Sequence, residues 1–300
     1  MKVAVITGAS SGLGVEFLEA VVERYPDLDE IWILARRKDR LEQLKAKYPT
    51  QAIVPIVADL ANEATYGQIR EYLLEKKPDI RVLINNAGCA NAGEFAEMSE
   101  EAILAMIHVN IKALTMIQRL CMPYMHRGSF TVMTCSVTAF VPIPLQAVYS
   151  ASKSYVYSLG KALREEVRQQ GVHLLLLCPG NMNTEMNPQS PGELRQPQDS
   201  SGQQDSSSQH EPSSPGEPSR SQDSSGQQEP NRSQGLEGRR MSHLPFLDMK
   251  KITRRALQKA ERGKSVYTMG LLYQIFHLCS CLFPSLMTKI SAKFMEELSL

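Results

Sequence analysis

Residues 3–14 read Val3-Ala4-Val5-Ile6-Thr7-Gly8-Ala9-Ser10-Ser11-Gly12-Leu13-Gly14, and the amphipathic stretch Val15 to Arg24 follows directly. A β-branched apolar run, then small residues, then a helical pattern predicts a buried strand, a tight turn and a helix. Gly8, Gly12 and Gly14 let the backbone turn sharply and approach a pyrophosphate, while the helix N-terminus behind them offers free N–H groups and a partial positive charge. Gly8, Ser10, Ser11, Gly12, Leu13 and Gly14 are therefore the expected nucleotide contacts. A Gly-rich turn alone is weak evidence and equally describes a plain tight turn. Its place between a strand and a helix, at the head of an alternating pattern, favours the nucleotide.

The alternation continues outward from that stretch. Val3 to Ile6, Ile31 to Leu34, Ile53 to Val57, Arg81 to Ile84, Phe130 to Thr134 and His173 to Leu177 read as strands, with helical patterns at Val15 to Arg24, Asp39 to Lys47, Glu63 to Lys76 and Glu100 to Leu120. Apolar strands separated by helices predict an α/β fold, a Rossmann-type doubly wound parallel sheet in one domain. The 42% hydrophobic content of 300 residues suffices for a full core. With 33 Lys+Arg against 32 Asp+Glu, the formal charge of +1 gives no broad basic footprint for nucleic acid. The first apolar run is broken at Gly8, too early for a secretory signal peptide. The six cysteines lack CxxC pairing or a His-rich neighbourhood, so neither a metal site nor a disulfide framework is expected, and a reducing cytoplasm fits.

Composition divides the chain into three parts: a nucleotide-binding and catalytic core over 1–186, a low-complexity insertion over 187–240, and the remainder of the same domain over 241–300. The insertion is rich in Ser, Gln, Pro, Gly and charged residues, with Leu194 and Leu236 its only large aliphatic residues, and repeats QDSSGQQ at Gln198 to Gln204 and Gln222 to Gln228. Such a segment cannot bury enough apolar surface to offset the entropy of ordering it, so it is expected to be disordered, in the region where a substrate loop would lie. An excursion from a loop tip is the favoured reading, since each doubling of a flexible loop costs only about 0.6 kcal/mol. Beyond it, Leu247 to Arg262 is helical in pattern and Ser265 to Thr268 reads as a strand. The uncharged stretch Val266 to Thr288 is too polar and too broken for a membrane span. It reads first as a core or subunit-interface segment that lines a pocket, and second as a membrane-surface helix aided by Lys289 and Lys293.

Arg36 and Arg37 follow the second strand, where an adenosine ribose would lie. An acidic residue there would repel a 2′-phosphate, whereas arginines pair with it, so NADP(H) is favoured over NAD(H). The plainer alternative is a solvated start to the next helix. Asp59, beside Leu60, is placed to accept a hydrogen bond from an adenine amino group or to cap the helix beginning near Asn62. Asn86, Ala87 and Gly88 close the fourth strand with small residues past which a cofactor can run, or form an ordinary Asn-rich turn. Tyr149 and Lys153 stand one helical turn apart on one face. A neighbouring ammonium favours phenolate and lowers a tyrosine pKa toward the useful range, although an exposed Tyr/Lys pair has the same spacing.

Taken together, TGASSGLG, Asp59, NNAG, Asn110 in HVNIKAL, Ser136, YSASK and CPGNMNT resemble the short-chain dehydrogenase/reductase family, in the family's order, over about residues 1–186 with a weaker echo from 243. The resemblance implies that Ser136 holds the substrate oxygen, Tyr149 exchanges its proton, Lys153 lowers the tyrosine pKa and binds the nicotinamide ribose, and Asn110 supports a water relay to Lys153. It also places Pro179, Gly180 and Thr184 beside the nicotinamide, Thr184 being equally suited to capping a helix. The implied activity is reversible hydride transfer between the cofactor and a small to medium apolar ketone or secondary alcohol, without a metal. Val141, Pro142, Ile143, Pro144 and Leu145 are expected to form an apolar wall, with Met269, Leu271, Leu272 and Phe276 added by the C-terminal segment, unless these simply fill the core. A homo-oligomer is implied by the family alone. Two rival readings are a non-catalytic NADP(H) sensor, which the intact Asn110, Ser136, Tyr149 and Lys153 set disfavour, and a scaffold docked on a membrane surface.

Overall fold

A computed structural model describes residues 1–182 and 246–297. Strand β1 (Lys2–Thr7) buries both its faces, Val3 and Val5 against one layer of helices and Ala4 and Ile6 against the other, which is why the run is apolar throughout instead of alternating. The chain continues as α1 (Gly12–Arg24), β2 (Glu30–Ala35), α2 (Lys38–Lys47), β3 (Ile53–Val57), α3 (Ala64–Lys76), β4 (Asp79–Asn85), α4 (Glu100–Met106) and α5 (Leu114–Cys121). Then come β5 (Phe130–Thr134), α6 (Ala147–Arg168), β6 (His173–Leu177), α7 (Met249–Glu261), β7 (Val266–Tyr267), α8 (Leu271–Leu282) and α9 (Pro284–Glu297). All strand pairs are parallel, in the order β3-β2-β1-β4-β5-β6-β7. This is the doubly wound sheet the sequence predicts. Its order reverses between β1 and β4, and the carboxyl ends of those strands open the crevice where such sheets bind ligands.

The segment after the gap completes the same sheet: β7 pairs with β6 through Leu176 with Val266 and Leu177 with Tyr267. Helix α7 buries Ile252, Ala256, Leu257 and Ala260 in the core layer that α1 also lines. Ion pairs edge that seam, Arg254 to Glu23 at 2.8 Å, Lys250 to Glu19 at 2.9 Å, and Arg24 to Glu261. Exposed pairs of this kind add little, so the buried apolar face holds α7 in place.

Two expectations change. The helix expected over Glu100 to Leu120 is interrupted by a π-helical stretch at Ile107–Ala113. By length and composition Glu100–Tyr124 would suit a membrane, but its Ala113, Ile117 and Leu120 pack into the core. In the C-terminal pair, Tyr273, Ser280 and Met287 point inward while Leu271, expected in the pocket wall, is 73% exposed. The inward face repeats every seventh residue, which turns the neighbouring leucines outward. Of the other expected wall residues there, Met269 packs against the core layer, Phe276 is half-buried, and the Leu272 side chain lies outside those described. The expected disordered insertion at 187–240 and the candidate Thr184 likewise lie outside the described residues.

Candidate active site

The turn after β1 is held by its backbone. Gly8 and Ala9 donate N–H groups to the Leu34 carbonyl at 2.9 and 3.3 Å, pinning the turn to the end of β2. Gly8 has φ +67° and Gly12 φ +51°, a region that side chains disfavour. At Gly14 the constraint is contact: a Cβ there would stand 2.1 Å from the Gly8 carbonyl oxygen. Ser11 opens α1 without a side-chain cap, and the helix's first turn carries no acidic residue. Its N-terminal N–H groups are thus available to an anion outside the helix, which fits the diphosphate of a dinucleotide. Leu13 is buried beneath, and Ser10 and Ser11 are half-buried.

Arg37 reaches across this turn from the end of β2, donating to the Ser10 hydroxyl at 3.1 and 3.3 Å and to its carbonyl at 3.4 Å. Arg36 beside it is exposed. Asp59 is also exposed, and its Oδ1 accepts the Ala61 N–H at 3.1 Å while its carbonyl accepts from Thr65 at 2.8 Å, so it shapes the lead into α3 above buried Leu60. Asn86, Ala87 and Gly88 join three strand ends. The Thr7 hydroxyl oxygen accepts the N–H groups of Asn86 and Ala87 at 2.9 and 3.0 Å, and the Thr134 hydroxyl donates to Asn86 Oδ1 at 3.1 Å. A Cβ on Gly88 would lie 3.2 Å from Asn110 Oδ1 and 3.4 Å from Lys153 Nζ, so the glycine opens the floor on which those two side chains meet.

Asn110 sits in the π-helical stretch and is wholly buried. Such stretches re-aim a side chain without ending the helix. Its Oδ1 accepts the Cys89 N–H at 2.9 Å, while its Nδ2 donates to the Cys89 carbonyl at 2.9 Å and to Ser152 Oγ at 3.0 Å. Ser152 in turn donates to the Tyr149 carbonyl at 2.7 Å. Asn110 therefore ties the loop after β4 to α6, the helix that carries Tyr149 and Lys153. Lys153 is buried and donates to the Thr134 carbonyl at 3.1 Å, with its Nζ 5.6 Å from the centre of the Tyr149 ring. Ser136, just past β5, accepts the Thr138 N–H at 3.2 Å, and its side chain favours the ionised form of the Tyr149 phenol.

Burial pushes the Tyr149 phenol up to about 12, and the Ser136 side chain offsets this only in part. The sequence expectation of a lowered tyrosine pKa is not met, because desolvation of the phenolate is the dominant influence. Burial also pulls the Lys153 ammonium below its usual value.

The expected apolar wall is mixed: Val141 is buried, Ile143 and Leu145 are half-buried, and Pro142 and Pro144 are exposed. Leu145 adopts φ +66°, a strained conformation for a branched side chain, and its carbonyl accepts the Gly93 N–H at 2.8 Å. Pro179 is buried and its carbonyl accepts the Val137 N–H at 3.1 Å, tying the end of β6 to the Ser136 segment. At Gly180 the place of a Cβ is taken by the Tyr273 ring, 2.2 Å away at Cζ, and the Tyr273 hydroxyl accepts the Asn181 N–H at 3.3 Å.

Sequence reasoning missed Tyr273, Ser152, Thr7 and Thr134. Ser152 lies inside YSASK and was open to notice. Nothing in the apolar run around Tyr273 distinguishes it.

A family model described as short chain dehydrogenase matches residues 2–194. The chain belongs to the short-chain dehydrogenase family. Within it, an uncharacterised oxidoreductase of Staphylococcus epidermidis is 28% identical over 188 residues, 62% of this chain and 80% of that one. In three dimensions the chain is similar to a short-chain dehydrogenase from Sphingobium yanoikuyae in complex with NADPH, with TM-score 0.68, 22% identity and 95% of each chain covered. It is similar too to a short-chain dehydrogenase/reductase from Burkholderia phymatum in complex with NAD, with TM-score 0.70, 21% identity and 94% of each chain covered. At such identities the likeness concerns the fold. As a member of this family the chain is an oxidoreductase.

Proposed function

We propose that the protein interconverts a carbonyl and a secondary alcohol on a small to medium apolar substrate, using NADP(H) in preference to NAD(H). The observation that carries this reading is the convergence of Ser136, Tyr149, Lys153 and Asn110 from β5, α6 and the π-helical stretch onto the carboxyl edge of the sheet, next to the glycine turn. The cofactor, when bound, supplies or accepts the hydride. Gly8, Ser10, Ser11, Gly12, Leu13 and Gly14 would hold its diphosphate, with Asp59, Leu60, Asn86, Ala87 and Gly88 along the adenosine side and Pro179, Gly180 and Thr184 beside the nicotinamide. The preference for the phosphorylated form rests on Arg36 and Arg37, the second of which already spans the turn at Ser10.

In this reading Ser136 holds the substrate oxygen and Tyr149 exchanges its proton. A phenol held near 12 is protonated at neutral pH, and so is suited to donate to a carbonyl that becomes an alkoxide. Lys153 would bind the nicotinamide ribose and favour the phenolate left after donation, and Asn110 would support a water relay to Lys153. Free thiols at Cys89, Cys121, Cys135, Cys178 and Cys279 support a cytoplasmic setting. Exposed Leu104, Ile107 and Tyr155 on α4, the π-helical stretch and α6 support pairing of subunits there. The proposed division of the chain remains a core over 1–186, an insertion over 187–240 and the rest of the domain over 241–300.

The test follows nicotinamide absorbance over a panel of ketones and secondary alcohols, with NADPH and NADH, in the wild type and Tyr149→Phe. Turnover with NADPH is expected to fall about 100- to 10,000-fold in the variant, with NADPH affinity retained. Tight NADPH binding with no turnover across the panel, or equal turnover in the variant, would overturn the catalytic reading.

A further inference from the structure

Helices α8 and α9 present their apolar side chains to the outside. Leu271, Ile275, Leu278 and Leu282 follow one another at steps of four, three and four along one side of α8, and Phe283 at its end and Leu286 and Ile290 on α9 add to the apolar surface, all between 46% and 73% exposed. The inward side of α8 carries Tyr273, which seats on Gly180, and Ser280, while half-buried His277 bonds the Tyr157 hydroxyl at 2.9 Å and packs against Phe140 at 4.5 Å. The polar and aromatic residues thus fix the helix to the site, and the aliphatic ones are left for a partner. Soluble monomers rarely expose an apolar strip of this extent without one.

We propose that this strip docks the protein on the surface of a lipid bilayer. Charge favours that occupant. No Asp or Glu occurs between Glu261 and Glu296, while Lys289 and Lys293 lie at the far end of the strip and are exposed. Aliphatic side chains edged by lysines are the composition of a helix lying in an anionic interface, with the long lysine stems reaching the headgroups. Subunit interfaces, by contrast, are depleted in lysine. The segment 187–240 is too poor in apolar residues to cover the strip itself. At 12 and 14 residues the two helices are shorter than the roughly 20 that a span requires, so they lie on the surface and do not cross it. Because Tyr273 anchors the start of α8 at Gly180, docking would hold the candidate site near the bilayer. That consequence rests on the catalytic reading; the docking does not.

The test is co-sedimentation of the full chain with phosphatidylcholine vesicles, and with vesicles containing phosphatidylserine, read as protein pelleted and without turnover. Light scattering gives the mass in the absence of lipid. The wild type is expected to pellet, more so with phosphatidylserine. The Leu278→Ser/Leu282→Ser/Leu286→Ser variant should lose binding by about tenfold or more while NADPH binding reports its fold intact, and Lys289→Ser/Lys293→Ser should lose only the gain from phosphatidylserine. No pelleting of the wild type with either vesicle overturns the proposal. So does equal pelleting of the leucine variant, or a lipid-free dimer that the variant turns into monomer without any vesicle binding.

Discussion

The turn after β1 and the helix pair α8–α9 are both written in small or apolar residues, yet they are used in opposite ways. In the turn, glycines are dictated by backbone: positive φ at Gly8 and Gly12, and at Gly14 a carbonyl oxygen where a Cβ would be. In the helix pair no backbone feature constrains the leucines, and the choice of which side faces inward falls to Tyr273, Ser280 and Met287. Residues that satisfy a backbone constraint announce their role in the sequence. Residues that satisfy only an apolar environment do not say whether that environment is the core, a partner or a lipid.

Substitutions offer ways to break that contrast. Gly14→Ala should have the largest effect, since backbone must shift to accommodate it: overpacking costs about 1–3 kcal/mol, and strain of that size borne by the nucleotide-binding form of the turn corresponds to a loss of roughly 5- to 150-fold in NADPH affinity by calorimetry. Unchanged affinity would mean the turn is not built around the nucleotide. Arg36→Ser/Arg37→Ser should lower the preference for NADPH over NADH by about tenfold, the worth of one charge-assisted hydrogen bond, with affinity for NADH little altered. Equal loss for both nucleotides would return the arginines to the role of a solvated helix start.

A smaller effect is expected where α7 meets α1. Burial raises the Glu261 carboxyl, but hydrogen bonds from Arg24 and from Tyr25, the latter at 2.6 Å, outweigh it and hold the group below its usual value. A depressed folded pKa contributes stability that is present above the unfolded value of about 4.3 and is lost as pH falls through the folded one. The pair is partly exposed, so less than about 1 kcal/mol should go this way, and Glu261→Gln should remove that part of the acid dependence in thermal melts. The smallest effect belongs to Leu278→Ser: an exposed site should change stability by no more than about 0.5 kcal/mol. A loss of about 2 kcal/mol or more would show that α8 is packed like core and would erase the contrast.

The strands were legible because each is a short apolar run buried on both faces, and their observed bounds lie within two residues of the expected ones. The residues of the candidate site were legible through YSASK and its accompanying motifs, and the fold brings them to one edge. The clasp between Asn110, Cys89 and Ser152 was not, since it joins residues 21 and 42 positions apart through a π-helical stretch that has no periodic signature. The same limit applies to Tyr149. Its neighbour at one helical turn predicted a lowered pKa, but burial is a property of everything packed around the ring and raised it instead.

The sequence by itself determined the sheet, the glycine turn and the residue types of the candidate site, because backbone sterics and apolar periodicity are local and written in order along the chain. Only the tertiary structure decided that Arg37 spans the turn to Ser10, that Tyr273 fills the space over Gly180, that Tyr149 is held protonated, and that the leucines of α8 face outward. Each of these depends on contacts between distant segments, and desolvation and packing are set by what surrounds a group in space.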